Sequence, residues 1–147
     1  MHIFLGSDHA GFALKNTIAS TLRTQGHDIT DVGAEALDPT DDYPDYIVPV
    51  ARAVAADPSV RGIVFGMSGQ GEAMAANRIR GVRAAVFYAG PQDMVRLSRE
   101  HNDANILSIG AHFVGEDEAK EAVALWLATP FSTEERHIRR IAKLDSN

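Results

Sequence analysis

Short apolar runs alternate with stretches of helical periodicity along nearly the whole chain, and this alternation limits the fold more than any other feature. The runs at residues 2–6, 28–33, 62–65, 83–87 and 105–109 have strand length, the second being the most polar. Between and after them lie helical stretches at residues 10–23, 44–56, 72–79, 91–101, 116–128 and 132–143. Phe12, Leu14, Ile18 and Leu22 recur near helical spacing in the first, and Pro44 suits the first turn of the second. A strand, a crossover helix and another strand make a βαβ unit, so the series predicts a largely parallel sheet covered on both faces. No repeat, linker or low-complexity tract interrupts it, which predicts one domain over residues 1–147. The expected architecture is a five-stranded, Rossmann-like three-layer α/β sandwich with strand order 2-1-3-4-5 and an extra C-terminal helix. Such sheets bind ligands beyond the carboxyl ends of their strands, where the order reverses, here between the first and third strands.

Composition narrows the chemistry. The 147 residues include no cysteine, which removes disulfides, thiolate nucleophiles and cysteine metal sites. A catalytic base must then be a carboxylate, histidine, lysine or tyrosine. A net charge of −6 argues against a nucleic-acid partner, whose footprint is a basic face. No apolar run approaches the ~18 residues of a membrane span, and Met1 to Leu5 lacks the basic flank of a secretory signal. A cytoplasmic protein without a membrane partner is expected. An anionic small molecule remains suitable, because Arg136-His137-Ile138-Arg139-Arg140 supplies a local basic cluster.

Two turns hold the chemistry-bearing residues. Gly6-Ser7-Asp8-His9-Ala10-Gly11 follows the first strand, and Gly66-Met67-Ser68-Gly69-Gln70-Gly71-Glu72 follows the third. Small residues at a strand-to-helix turn leave backbone N–H groups open to an anion, although glycine there also serves simply to accept a positive φ. The second turn lacks the Gly-Lys-Ser/Thr of a P-loop, and its Gly-x-x-Gly-x-Gly spacing departs from the dinucleotide fingerprint. No cofactor is expected. The six histidines show no metal-binding spacing, and Asp38, Asp41 and Asp42 do not form a calcium loop, so no metal is expected either.

These turns occur in order with Ala75-Ala76-Asn77-Arg78, with Arg99-Glu100-His101-Asn102-Asp103-Ala104-Asn105 and with the basic cluster at 136–140. Together the segments resemble the ribose-5-phosphate isomerase B / galactose-6-phosphate isomerase family over nearly the whole chain. Many members of that family carry a cysteine base at the position of Gly66. Another branch places glutamate six residues later, and this sequence matches that branch. The resemblance therefore implies Glu72 as the base, His101 in ring opening and Ser68 as a substrate contact. It also implies a substrate and phosphate site including Asp8, His9, Tyr43, Gly66, Gly69, Gly71, Asn102, His112, Arg136, His137 and Arg140. The basic cluster would reach into a neighbouring subunit, in a homodimer or a dimer of dimers.

Aldose–ketose isomerisation needs one base facing two adjacent carbons and donors for an enediolate oxygen. A carboxylate at the mouth of an N–H-rich turn meets both needs, the carboxylate as base and the turn as donor, and triosephosphate isomerase performs the same reaction with a glutamate base. Taken alone, Glu72 reads first as an acid complementing a helix dipole, and Arg136 with Arg140 as a solvated helix face with Glu134 and Glu135; the resemblance reverses both readings. The expected reaction is interconversion of ribose 5-phosphate and ribulose 5-phosphate. The same chemistry on a tetrose, allose or galactose phosphate, or non-catalytic phosphosugar binding, are the alternatives. The resemblance breaks at His112, where many members have arginine to hold the phosphate. Histidine offers fewer donors and is partly neutral near pH 7, so His112→Arg should lower the Michaelis constant for ribose 5-phosphate and flatten its rise between about pH 6 and 8, as steady-state kinetics would show.

Overall fold

The computed structural model describes residues 1–146. Five strands form one parallel sheet: β1 (His2–Ser7), β2 (Asp28–Asp31), β3 (Arg61–Gly66), β4 (Ala84–Phe87) and β5 (Ile106–Gly110). The helices are α1 (Phe12–Thr24), α2 (Pro44–Ala56), α3 (Gln70–Ala76), α4 (Asp93–Glu100), α5 (Glu116–Ala128) and α6 (Glu135–Asp145). Side chains alternate across the pleat, so Ile63 and Phe65 pack with α1, α4 and α5 while Val64 packs with α2 and α3. Ile18, Leu22, Val95 and Trp126 lie in the first of these apolar layers, and Ile47, Val50, Val54 and Ala76 in the second. Among the described residues no helix is long and apolar enough to cross a membrane.

The α/β class and the parallel sheet are as expected, but the strands run β2-β1-β3-β5-β4 rather than 2-1-3-4-5. β5 lies inside, paired with β3 from Gly62↔Ile106 to Gly66↔Gly110 and with β4 from Ala84↔Ile106 to Phe87↔Ile109. Burial accounts for the exchange. All five β5 residues are buried, with Ile106 serving one apolar layer and Leu107 and Ile109 the other. β4 is shorter, and Ala84, Ala85 and Val86 are only partly covered, which an edge tolerates. The reversal of order between β1 and β3 is unchanged. Smaller differences arise at helix ends: α3 stops at Ala76 before the turn carrying Gly81 at φ +87°, and α6 begins only after Thr133 at φ +57°.

One ion pair ties the covering helices to the β2 edge. Lys15 of α1 is 2% exposed and places Nζ 2.5 Å from Asp31 Oδ2 at the end of β2. Its stem crosses Gly33, where a Cβ would come within 3.0 Å of the Lys15 Cδ and Cε and 2.9 Å of the Ser7 nitrogen. Asp31 also accepts the Gly33 N–H. Removing the carboxylate alone strands a buried ammonium, whereas replacing the lysine with an apolar chain of similar length removes the charge as well. Asp31→Ala should therefore cost about 3 kcal/mol in urea unfolding, and the Lys15→Met/Asp31→Ala double variant should recover much of that loss.

Candidate active site

The crevice between β1 and β3 is built around residues with no side chain. β3 ends at Gly66, and Met67 and Ser68 lead to Gly69, which adopts φ +74° at the start of α3. A Cβ on Gly69 would also lie 3.1 Å from the Gly110 nitrogen and 3.2 Å from the Ser108 oxygen, so glycine is required for both conformation and space. Ser108 donates its hydroxyl to the Gly69 carbonyl at 2.6 Å and fastens the turn to β5. Ser68 accepts the Gln70 N–H at 3.3 Å.

Glu72, in the first turn of α3, folds back over the end of β3 and is 4% exposed. A Cβ on Gly66 would fall onto its carboxylate, so the absence of a side chain at 66 makes the room in which Glu72 sits. The Tyr43 ring covers Gly71, where a Cβ would lie 3.0 Å from Cζ. Burial holds the Glu72 carboxyl above its ordinary value of 4.5; its own backbone N–H opposes this and the charge of Asp8 adds to it. The result is a more basic carboxylate in a partly dehydrated place.

The turn after β1 comes to the same edge. Gly11 packs directly on β3, since a Cβ there would lie 2.5 Å from the Phe65 Cβ. Asp8, 7% exposed, accepts the N–H groups of Ala10 at 3.0 Å and Gly11 at 3.2 Å. His9 places Nδ1 2.6 Å from Asp41 Oδ1. Ligand-capable atoms of Asp8, His9 and Asp41 lie within 4.8 Å of one another, and the two carboxylates accept the hydrogen bonds just described. After β5, Ala111 and His112 donate their N–H groups to the Gly66 and Met67 carbonyls at 2.8 and 3.1 Å, which leaves the exposed His112 ring beside the same turn. Glu72, Ser68, Gly66, Gly69, Gly71, Asp8, His9, Tyr43 and His112 thus share one edge of the sheet.

His101 and Asn102 do not. They follow α4, which returns the chain from the carboxyl end of β4 to the amino end of β5, where Ile106 is paired with Gly62. Gly62 and Gly66 are four residues apart along β3, roughly 13 Å at about 3.3 Å per residue, and the two groups of residues lie at opposite ends of that span. Arg99, 5% exposed, braces the turn by donating to Asp103 Oδ1 at 2.7 Å and the Ala104 carbonyl at 2.6 Å. Arg83 adds bonds to Asp103 Oδ2 at 2.9 Å and the Asn102 carbonyl at 3.1 Å. Asn105 accepts the Arg83 N–H and donates to the Gly81 carbonyl, both at 2.8 Å.

His137 docks α6 onto this turn. It is 2% exposed and donates Nδ1–H to the His101 carbonyl at 2.8 Å, with the two rings 4.3 Å apart. Arg136 and Arg140 are left on the exposed face of α6, Arg136 paired with Glu134 at 2.8 Å. Arg139 is exposed as well and pairs with Glu135 at 2.8 Å, so the basic cluster divides into one buried histidine and three outward cations.

Comparison with known proteins identifies the fold's relatives. The sequence model of the family described as Ribose/Galactose Isomerase matches residues 3–144. The chain belongs to this isomerase family. A protein of Mycolicibacterium paratuberculosis named ribose-5-phosphate isomerase B is 43% identical over 141 residues, which is 96% of this chain and 87% of that one. The solved structure of the Clostridium thermocellum ribose-5-phosphate isomerase B is similar at a TM-score of 0.93 and 42% identity, covering 99% of this chain and 96% of that chain. A Mycoplasma genitalium ribose-5-phosphate isomerase B, solved with bound ribulose-5-phosphate, is similar at a TM-score of 0.93 and 36% identity, covering 99% and 94%.

In this member of the isomerase family no sequence motif gives a role to Arg99, Asp103 or Asn105, which brace the His101 turn, and Asp41 enters the sequence reading only among acids that do not form a calcium loop. No local pattern could have paired residue 41 with residue 9, which lie 32 positions apart. Two outcomes follow from the space at Gly66. Gly66→Ala should leave the fold intact, because the atom displaced is the end of a flexible side chain, but it should reduce isomerase turnover by a factor of about 100 or more. Glu72→Gln should abolish turnover and raise stability. Its carboxyl binds its proton more tightly folded than unfolded, so the native protein is favoured below pH 4.5 and loses that advantage as pH rises through the higher folded value. Thermal melts at neutral pH should place the glutamine variant above the wild type, and the difference should vanish in acid.

Proposed function

We propose that this chain interconverts ribose 5-phosphate and ribulose 5-phosphate in the cytoplasm as a homodimer or a dimer of dimers, with Glu72 as the base. The observation that carries the reading is the buried Glu72 carboxylate, raised in basicity and set in the space left by Gly66 at the mouth of an N–H-rich turn. In the open-chain aldose, Glu72 takes the proton from C2, the electron pair moves toward the carbonyl, and an enediolate forms. Glu72 then returns the proton to C1, while a hydroxyl proton passes from the C2 oxygen to the C1 oxygen. The turn at 68–72 and the Asp8–His9 segment supply hydrogen bonds to the sugar oxygens.

His101 would open the closed sugar ring, a step suited to an imidazole because its two ring nitrogens can donate and accept a proton. It lies at the opposite edge of the sheet from Glu72, so a single chain does not bring both to one small sugar. A second copy would bring its His101, Asn102, Arg136 and Arg140 to the crevice of the first, the arginines holding the phosphate.

Two measurements test this. Ribose 5-phosphate incubated in heavy water should gain deuterium at C2 with wild-type protein and none with Glu72→Gln. Mixing inactive Glu72→Gln chains with inactive Arg140→Ala chains should restore about a quarter of wild-type activity, because one site in each mixed dimer receives both native halves. Absence of recovery despite demonstrated subunit exchange would place the whole site within one chain.

A further inference from the structure

Asp41 takes no part in the proton transfer just described, yet its side chain is among the most deeply set of the loop between β2 and α2. That side chain is 5% exposed, whereas the His9 side chain it holds is 36% exposed. A single oxygen, Oδ1, accepts both the backbone N–H of His9 at 3.1 Å and the ring Nδ1–H at 2.6 Å. Two bonds from one atom to one residue fix both the backbone and the rotation of the ring. With Nδ1 engaged, Nε2 is the nitrogen available to a ligand.

Stability alone does not explain this arrangement. The other carboxylate oxygen, Oδ2, is buried with no hydrogen-bond partner, which costs a fold free energy instead of supplying it. The Asp41 carboxylate acts on two titratable neighbours, His9, which it bonds through Oδ1, and Tyr46 of α2. We infer that Asp41 is a positioning residue for substrate binding, holding the His9 ring so that its Nε2–H is presented as a donor to an acceptor oxygen of the phosphosugar. The inference rests on the isomerase reading for its substrate.

The surrounding groups act in the same direction. His9 is raised above its ordinary 6.5, first by the Asp41 hydrogen bond; burial opposes this, and the charges of Asp8, Asp41 and Asp38 add to it. Tyr46 on α2 faces the same carboxylate and is itself raised above 10.0, by burial first and then by Asp41. Glu72 lies beyond Asp8 and feels its charge. The groups acting on His9 are therefore acidic, and the donor remains charged at a pH where a free imidazole is neutral.

The test uses Asp41→Asn, which keeps an acceptor oxygen but removes the charge, and Asp41→Ala, which removes both. The midpoint of the His9 ring titration, followed by NMR in the full-length protein, should fall in Asp41→Asn. The Michaelis constant for ribose 5-phosphate should rise about tenfold at pH 8 with kcat nearly unchanged, and should return toward wild type at pH 6, where an unaided imidazole is mostly protonated. His9→Gln combined with Asp41→Asn should be no worse than His9→Gln alone. An unchanged His9 titration, a loss of kcat at constant Michaelis constant, or a rise in the Michaelis constant that ignores pH would overturn the assignment. The ring titration, repeated with inorganic phosphate added, requires no turnover. If wild-type protein fails to isomerise ribose 5-phosphate, the isomerase reading fails while the His9 titration still decides the role of Asp41.

Discussion

A parallel strand can deliver its carboxyl end to only one edge of the sheet, and every crossover helix must then carry the chain back to the other edge before the next strand begins. Most of the distribution of chemistry in this protein follows from that geometric necessity. The turns after β1, β3 and β5 all open on the same edge, and their close stitching brings Asp8, His9, Gly66, Ser68, Glu72 and His112 together. The turn before β5, carrying His101 and Asn102, opens on the other edge for the same reason. The candidate residues are thereby divided between the two opposite edges of the sheet.

At the carboxyl edge, missing side chains set the geometry. Gly66 leaves the volume that the Glu72 carboxylate enters, Gly11 lets the start of α1 rest on Phe65, and Gly69 bends left-handed against the backbone of β5. Backbone contacts this close replace water with fixed peptide dipoles and set the buried carboxylate of Glu72 against the neighbouring Asp8. The same burial that makes Glu72 a stronger base makes its ionised form costly to the fold, so the candidate site trades stability for basicity.

His9 and His137 are held in contrasting ways. His9 leans on a carboxylate that favours its charged form and stays partly exposed. His137 is buried and spends its Nδ1–H on the carbonyl of His101, so it fixes the docking of α6 and leaves the flanking arginines to the surface. Both were candidate ligand contacts in the sequence. Their surroundings differ in exposure, and in whether the ring bonds a carboxylate or a backbone carbonyl.

The order and type of the elements could be read from the chain because both are encoded locally, in strand-length apolar runs and in helical spacing. Several features of the candidate site were equally local: the lack of cysteine pointed to a carboxylate, histidine, lysine or tyrosine base, and the glycine-rich turn leading to Glu72 marked where one could stand. The position of β5 inside the sheet was decided only by packing, because the burial of both its faces is a property of what surrounds it. The separation of His101 from Glu72 depended on the direction in which α4 returns, and the joining of Asp41 to His9 on how the loop after β2 settles against the turn after β1. Sequence alone carried residue types, periodicities and motif order, which are short-range properties of the chain. Partnerships across 32 positions, and the choice of sheet edge, arose only when burial of the two apolar layers brought distant segments into contact.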